Sequence, residues 1–82
     1  MTKGRIKLLR RYANRLVTLV LTNGEEYTGT LTLEKKNKNA FRVDFENKSI
    51  FVLHHQIAKA IVYNGIKYKV VYEMVKEKHG IL

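Results

Sequence analysis

Two adjacent histidines, His54 and His55, stand in the stretch FVLHHQIAKAIVY (residues 51–63), between runs that otherwise read as buried strand. Imidazoles can ligate a metal, move a proton, or present hydrogen-bonding rings to a ligand from a polar turn. Zinc is disfavoured because neighbours on a strand point to opposite faces, the chain has no cysteine and the remaining histidine, His79, lies in the tail. Acid/base catalysis needs a partner that orients the base and a group that stabilises developing charge. Asp44, Glu46 and Glu34 fall at alternating outward strand positions, where solvated carboxylates are ordinary. A polar turn that contacts a ligand is the reading left standing, with neither enzymatic chemistry nor a cofactor expected.

Charge identifies the class of ligand. Lys and Arg number 16 against 7 Asp and Glu in 82 residues, a formal charge of +9, which in so small a chain is the footprint of a polyanion partner. Nucleic acid comes first and an anionic membrane surface second. The longest apolar runs, LVTLVL and SIFVL, fall far short of the roughly 18 residues of a spanning helix. The N-terminus has no apolar signal core, so a cytoplasmic protein without membrane contact is expected. Hydrophobic residues make up 45% of the chain, enough to fold as one small domain whose modest core favours self-association.

The elements that must position the histidines follow from periodicity. Ile6, Leu9, Ala13 and Leu16 recur at helical spacing, predicting an amphipathic helix over residues 1–15. Its outer face is basic: Lys3, Arg5, Lys7, Arg10, Arg11 and Arg15, with no acid in the first fifteen residues. Near a ligand face these cations suit phosphate contacts. From Val17 the period becomes two and stops at Asn23-Gly24, a type I′ hairpin signal. EYTGTLTLE then alternates threonines with Tyr27, Gly29, Leu31 and Leu33, and Gly29 marks a bend or a close backbone approach. A basic turn, KKNKN (residues 35–39), leads into AFRVDFE, a further turn, and SIFVL. After the histidines come AKAIVY, a second Asn-Gly at Asn64-Gly65, and IKYKVVYE, in which Ile66, Tyr68, Val70 and Tyr72 share a face. Tyr27, Phe41, Phe45, Tyr63, Tyr68 and Tyr72 are assigned mostly to the core, with Tyr12 and Tyr27 the candidates for stacking. MVKEKHGIL reads as a final helical turn or a frayed tail. The expected architecture is mainly β: a helix, then a small, strongly bent five-stranded antiparallel barrel with an extra C-terminal strand.

LVTLVLTNGEEYTGTL (residues 16–31) resembles the first motif of the Sm-like superfamily, which includes the Hfq proteins. Asn23, Gly24 and Gly29 match its hairpin and its obligatory strand glycine. The second motif leans toward Hfq, whose Tyr-Lys-His-Ala-Ile aligns with Leu53, His54, His55, Gln56 and Ile57. The resemblance implies one Sm-like domain over 1–82, with the helix at 1–15, the barrel at 16–63 and an extension at 64–82. It further implies a homo-oligomeric ring that binds single-stranded RNA, uridine-rich by family habit, as an RNA chaperone or RNA-processing scaffold. His54, His55 and Gln56 would line the pore. Lys35, Lys36, Lys38 and Asn39 would approach it from the neighbouring loop, and Arg5, Arg10, Arg11 and Arg15 would take backbone phosphates. Such rings pair the fifth strand of one subunit with the fourth of the next, and a sixth strand folded back at Asn64-Gly65 would occupy that edge. The alternative is a small basic SH3-like protein that binds duplex DNA or chromatin as a monomer or dimer.

Overall fold

The structure is a computed structural model that describes residues 2–74; the side chains of residues 2, 3 and 5 lie outside the description. The expectation for the C-terminal tail, from residue 75 onward, therefore falls outside the described residues, as does the side chain of Arg5.

One short helix, α1 (Thr2–Arg10), precedes six strands: β1 (Leu16–Leu21), β2 (Glu26–Leu33), β3 (Ala40–Phe45), β4 (Lys48–Leu53), β5 (Ile57–Asn64) and β6 (Lys67–Glu73). All neighbours are antiparallel in a single open sheet of order β4-β3-β2-β1-β5-β6. The extra C-terminal strand thus extends the sheet beyond β5 and leaves β4 and β6 as its edges.

Alternation buries one face. Val17 and Leu19 of β1, Leu31 of β2, Phe41 and Val43 of β3, Val52 of β4, and Ile57, Ala60 and Val62 of β5 form the core, closed by Leu9 of α1. Each large apolar side chain buried this way contributes about 1.5–3 kcal/mol. The opposite face carries a polar column: the buried Thr18 hydroxyl is hydrogen-bonded to Thr28 at 2.7 Å and to the Tyr63 hydroxyl at 2.9 Å. Tyr63, expected in the core, stands on this outer face because its hydroxyl has a partner there.

The helix ends earlier than its periodicity predicts. Past Arg10 the chain turns, and Asn14 adopts φ +66° and donates its N–H to the Leu31 carbonyl at 2.7 Å. Asparagine tolerates the left-handed region, and the bond captures the chain into the sheet. Leu16, which continues the helical stripe in sequence, instead opens β1 and is 49% exposed.

Both Asn-Gly turns form, in geometries other than type I′. At the first, Gly24 alone has positive φ (+93°), its N–H donates to Leu21 and the Leu21 N–H donates to Glu25. This is a three-residue loop with glycine at the left-handed position. At the second, Asn64 pairs with Lys67, so the central residues are Gly65 (φ +68°) and Ile66. Glycine at the first central position is the type II′ preference, and the turn sits one residue later than Asn64-Gly65 suggested. A register shift between Ala60 and Ile61 follows, leaving Val71 as the additional residue. The expected shared face of β6 is therefore broken. Tyr68 (68% exposed) and Val70 turn outward beside Tyr63 and Ile61, Ile66 caps the turn in solvent, and only Val71 and Tyr72 pack on the core.

Asp44, expected to be an ordinary solvated carboxylate, ties three strands together. It accepts bonds from Arg42 (2.8 and 3.2 Å), Thr32 (2.7 Å) and Ser49 (2.6 Å), while Arg42 also reaches Glu34 at 3.6 Å. Arg42 first, then the two hydroxyls, hold the Asp44 carboxyl down to about 2. A carboxyl that titrates lower folded than unfolded stabilises the fold above its unfolded pKa and loses that contribution as pH falls through the folded value. Stability should accordingly decline between about pH 4 and about pH 2. Asp44→Asn should flatten that acid limb in urea unfolding across the range, and an unaltered limb in the variant would refute the role given to Asp44.

Candidate nucleic-acid interface

His54, His55 and Gln56 form a single 3₁₀ turn between β4 and β5 rather than continuing a strand. Gln56 shapes it locally: its side-chain carbonyl accepts the Leu53 N–H at 2.9 Å, and its backbone carbonyl accepts the Thr22 N–H at 2.8 Å. The two imidazoles meet edge to face with centroids 5.6 Å apart. His54 is half-buried and His55 is exposed.

The turn is joined to the basic loop through the backbone, since the His54 N–H donates to the Asn39 carbonyl at 2.8 Å. Asn39 is itself held by Asn37, whose side-chain oxygen accepts the Asn39 N–H at 2.9 Å. On the other side of Asn39 lies a shallow pocket of about 270 Å³, lined by Ile6, Lys7 and Arg10 of α1 together with Lys38 and Asn39. Helix, loop and histidine turn, far apart in the chain, thus share one continuous surface. An apolar floor at Ile6 with cations around it suits a base over a phosphate backbone.

The other candidates part company with this surface. Lys35 and Lys36 border a separate depression with Thr32, Leu33, Glu34 and Arg42, where Glu34 offsets their charge. Arg11 is exposed, and Arg15 lies beside the β5–β6 hairpin with Tyr12, Lys67 and Lys69. Sequence reasoning passed over Lys67 and Lys69. The signal was present in IKYKVV, where lysines alternate on a strand face that a core would fill with apolar residues. Tyr12 and Tyr27, the stacking candidates, are both half-buried against the core. The Tyr27 hydroxyl donates to Glu25 at 3.0 Å, a bond that, with partial burial, raises its pKa.

Among the described residues, no group of three or more His, Cys, Asp or Glu could hold a metal ion, and no helix is long and apolar enough to cross a membrane. Compared with protein-family models, curated proteins and solved structures, the chain matches none.

Proposed function

We propose that this chain is a single-stranded RNA-binding protein of Sm-like, Hfq-leaning design, with the sheet curled as a small bent barrel and RNA held without chemistry. The observation that carries this reading is the backbone bond from His54 to Asn39, which makes the basic loop and the histidine turn one surface with Lys7 and Arg10 beside it. Capture is electrostatic, by Lys7, Arg10 and Lys38. Discrimination then comes from His55 and the Asn39 amide, which offer stacking and edge hydrogen bonds to an unpaired base. In a duplex those base faces are stacked away, and this is why single strands are favoured.

Assembly follows from the sheet edges. β6 pairs along β5, so the contact between subunits runs from β4 of one to β6 of the next. Both edges carry exposed apolar side chains, Phe51 and Leu53 on β4 and Tyr68 and Val70 on β6. Such a heterologous contact makes a ring when the rotation between copies closes, and the Sm resemblance implies a ring of about five to seven copies. The occupied β5 edge also favours a second reading, a monomer or dimer that binds duplex DNA. One experiment separates them: native mass of the nucleic-acid-free protein, followed by competition of duplex DNA against a labelled uridine oligomer. A ring in which RNA outcompetes duplex by at least about tenfold is expected. A monomer or dimer that prefers duplex would reverse the order.

A further inference from the structure

The surface with the most unused chemistry is the groove between the chain just past α1 and the β5–β6 hairpin. It encloses about 310 Å³ and is lined by Tyr12, Arg15, Val62, Asn64, Lys67, Tyr68, Lys69 and Val71. Register explains its composition. Lys67 pairs with Asn64 and Lys69 with Val62, so both lysines extend from the sheet face that buries the core, at the end where the hairpin runs past it. Apolar residues there would have lengthened the core; lysines leave a charged recess.

Three cations line this groove and, among the described residues, no acid does. Among the described residues, the only ion pairs join Arg42 to Glu34 and Asp44, so Arg15, Lys67 and Lys69 have no carboxylate partner. Tyr12 supplies one aromatic wall, and Val62 and Val71 an apolar floor. The Asn64 side chain carries both a donor and an acceptor, the pairing that reads a base edge. The Tyr68 ring lies beside Tyr63, 6.4 Å away, so stacking in the groove falls to Tyr12.

From this geometry we infer a second nucleotide-binding site: phosphate held by Arg15, Lys67 and Lys69, base against Tyr12 with its edge on Asn64. For the class of its ligand the inference rests on the RNA reading, but it concerns a different surface. A strand of RNA bound at the histidine turn and a free mononucleotide present the same unit to it.

Amide chemical shifts of the full-length protein, titrated with uridine monophosphate, with inorganic phosphate and with a uridine hexamer, test the site. Uridine monophosphate should move the amides of Arg15, Asn64, Lys67 and Lys69, and Lys67→Glu with Lys69→Glu should weaken that response at least about tenfold while leaving hexamer shifts at His54–Gln56 intact. Both substituted residues are exposed, so the fold should persist. A hexamer response at the hairpin that uridine monophosphate fails to reproduce would assign the site to strand binding alone and overturn it as a mononucleotide site. Shifts at the histidine turn with none at the hairpin under any ligand would overturn the second site and leave the first. Shifts at the hairpin alone would establish the second site and remove the first, whereas silence at both would remove both. Phosphate matching the nucleotide in affinity would overturn the base contact.

Discussion

Gly29→Ala should destabilise the fold by about 2 kcal/mol, although alanine for glycine at an open position ordinarily adds about 0.4–1 kcal/mol. Gly29 is buried in β2 opposite Val17 of β1. A Cβ there would collide with the Asp44 backbone carbonyl oxygen and stand 2.9 Å from the Val43 side chain. Neither neighbour can retreat cheaply. Asp44 is paired with Thr30 and Val43 with Leu31, and the Asp44 side chain is fastened to β2 and β4 through Thr32 and Ser49. The strain therefore has to open the β2–β3 ladder beside Asp44. Against a total stability of about 4–12 kcal/mol for a chain of this size, the loss is large, and it should lower the melting temperature by about 8–16 °C. Gly4→Ala is the matched control: nothing lies within 4 Å of its added carbon, and in the first turn of α1 alanine is favoured by up to the roughly 0.8–1 kcal/mol of a helix interior. Melting temperatures moving in opposite directions would bear the account out. A neutral Gly29→Ala would show that the β2–β3 contact accommodates a side chain after all.

The same glycine indicates what the sequence could convey. A lone glycine within an alternating β run announces close approach without naming the neighbour, and here that is the backbone of β3. The strands were legible because each has one buried face, so that apolar residues at every second position report the pleat directly. The hairpin into β6 was not, since Asn64-Gly65 and Gly65-Ile66 are both acceptable turns and differ by two residues in the pairing of the strand that follows. Tyr68 and Val70 face outward with Tyr63 and Ile61 opposite them, and the extra residue at Val71 returns Tyr72 to the core side, an outcome that no local preference of those residues foretells. Similarly, the stripe from Ile6 to Leu16 continues past the point where the Asn14 bond to Leu31 draws the chain into the sheet; a bond to a distant strand leaves no trace in local periodicity.

The candidate site divides along the same line. His54 and His55 were recognisable as a turn because polar residues interrupt two apolar runs. Their union with Lys38 and Asn39 depends on the Asn39 carbonyl accepting the His54 N–H, a contact that any residue types could make. Residue type therefore marked which side chains could bind, and the backbone decided which of them act together. Lys35 and Lys38, three positions apart in one loop, consequently border different depressions. Charge counting along the chain treats them as equivalent.

That division predicts the largest effect on binding. Replacing Lys7, Arg10 and Lys38 together by glutamine should weaken a uridine oligomer by about 500-fold at about 50 mM salt, and by only about 30-fold at about 200 mM. The figures follow from counterion release: each phosphate contact on a single strand contributes a slope of about −0.7 in log affinity against log salt. One contact is then worth about eightfold at the lower salt and about threefold at the higher, and three contacts multiply. The salt slope should flatten by about 2 in the triple variant. His55→Ala should behave differently, because stacking and edge bonds release no counterions. It should cost about 5–150-fold at either salt, the range for one stacked base, with the slope unchanged. Lys48→Ala is the control, since Lys48 begins β4 at the end away from the histidine turn. Fluorescence anisotropy across a salt series gives affinity and slope together. A triple variant that keeps the native slope would mean that phosphates lie elsewhere, and a His55 loss that fades with salt would make that ring a counter-charge rather than a base contact.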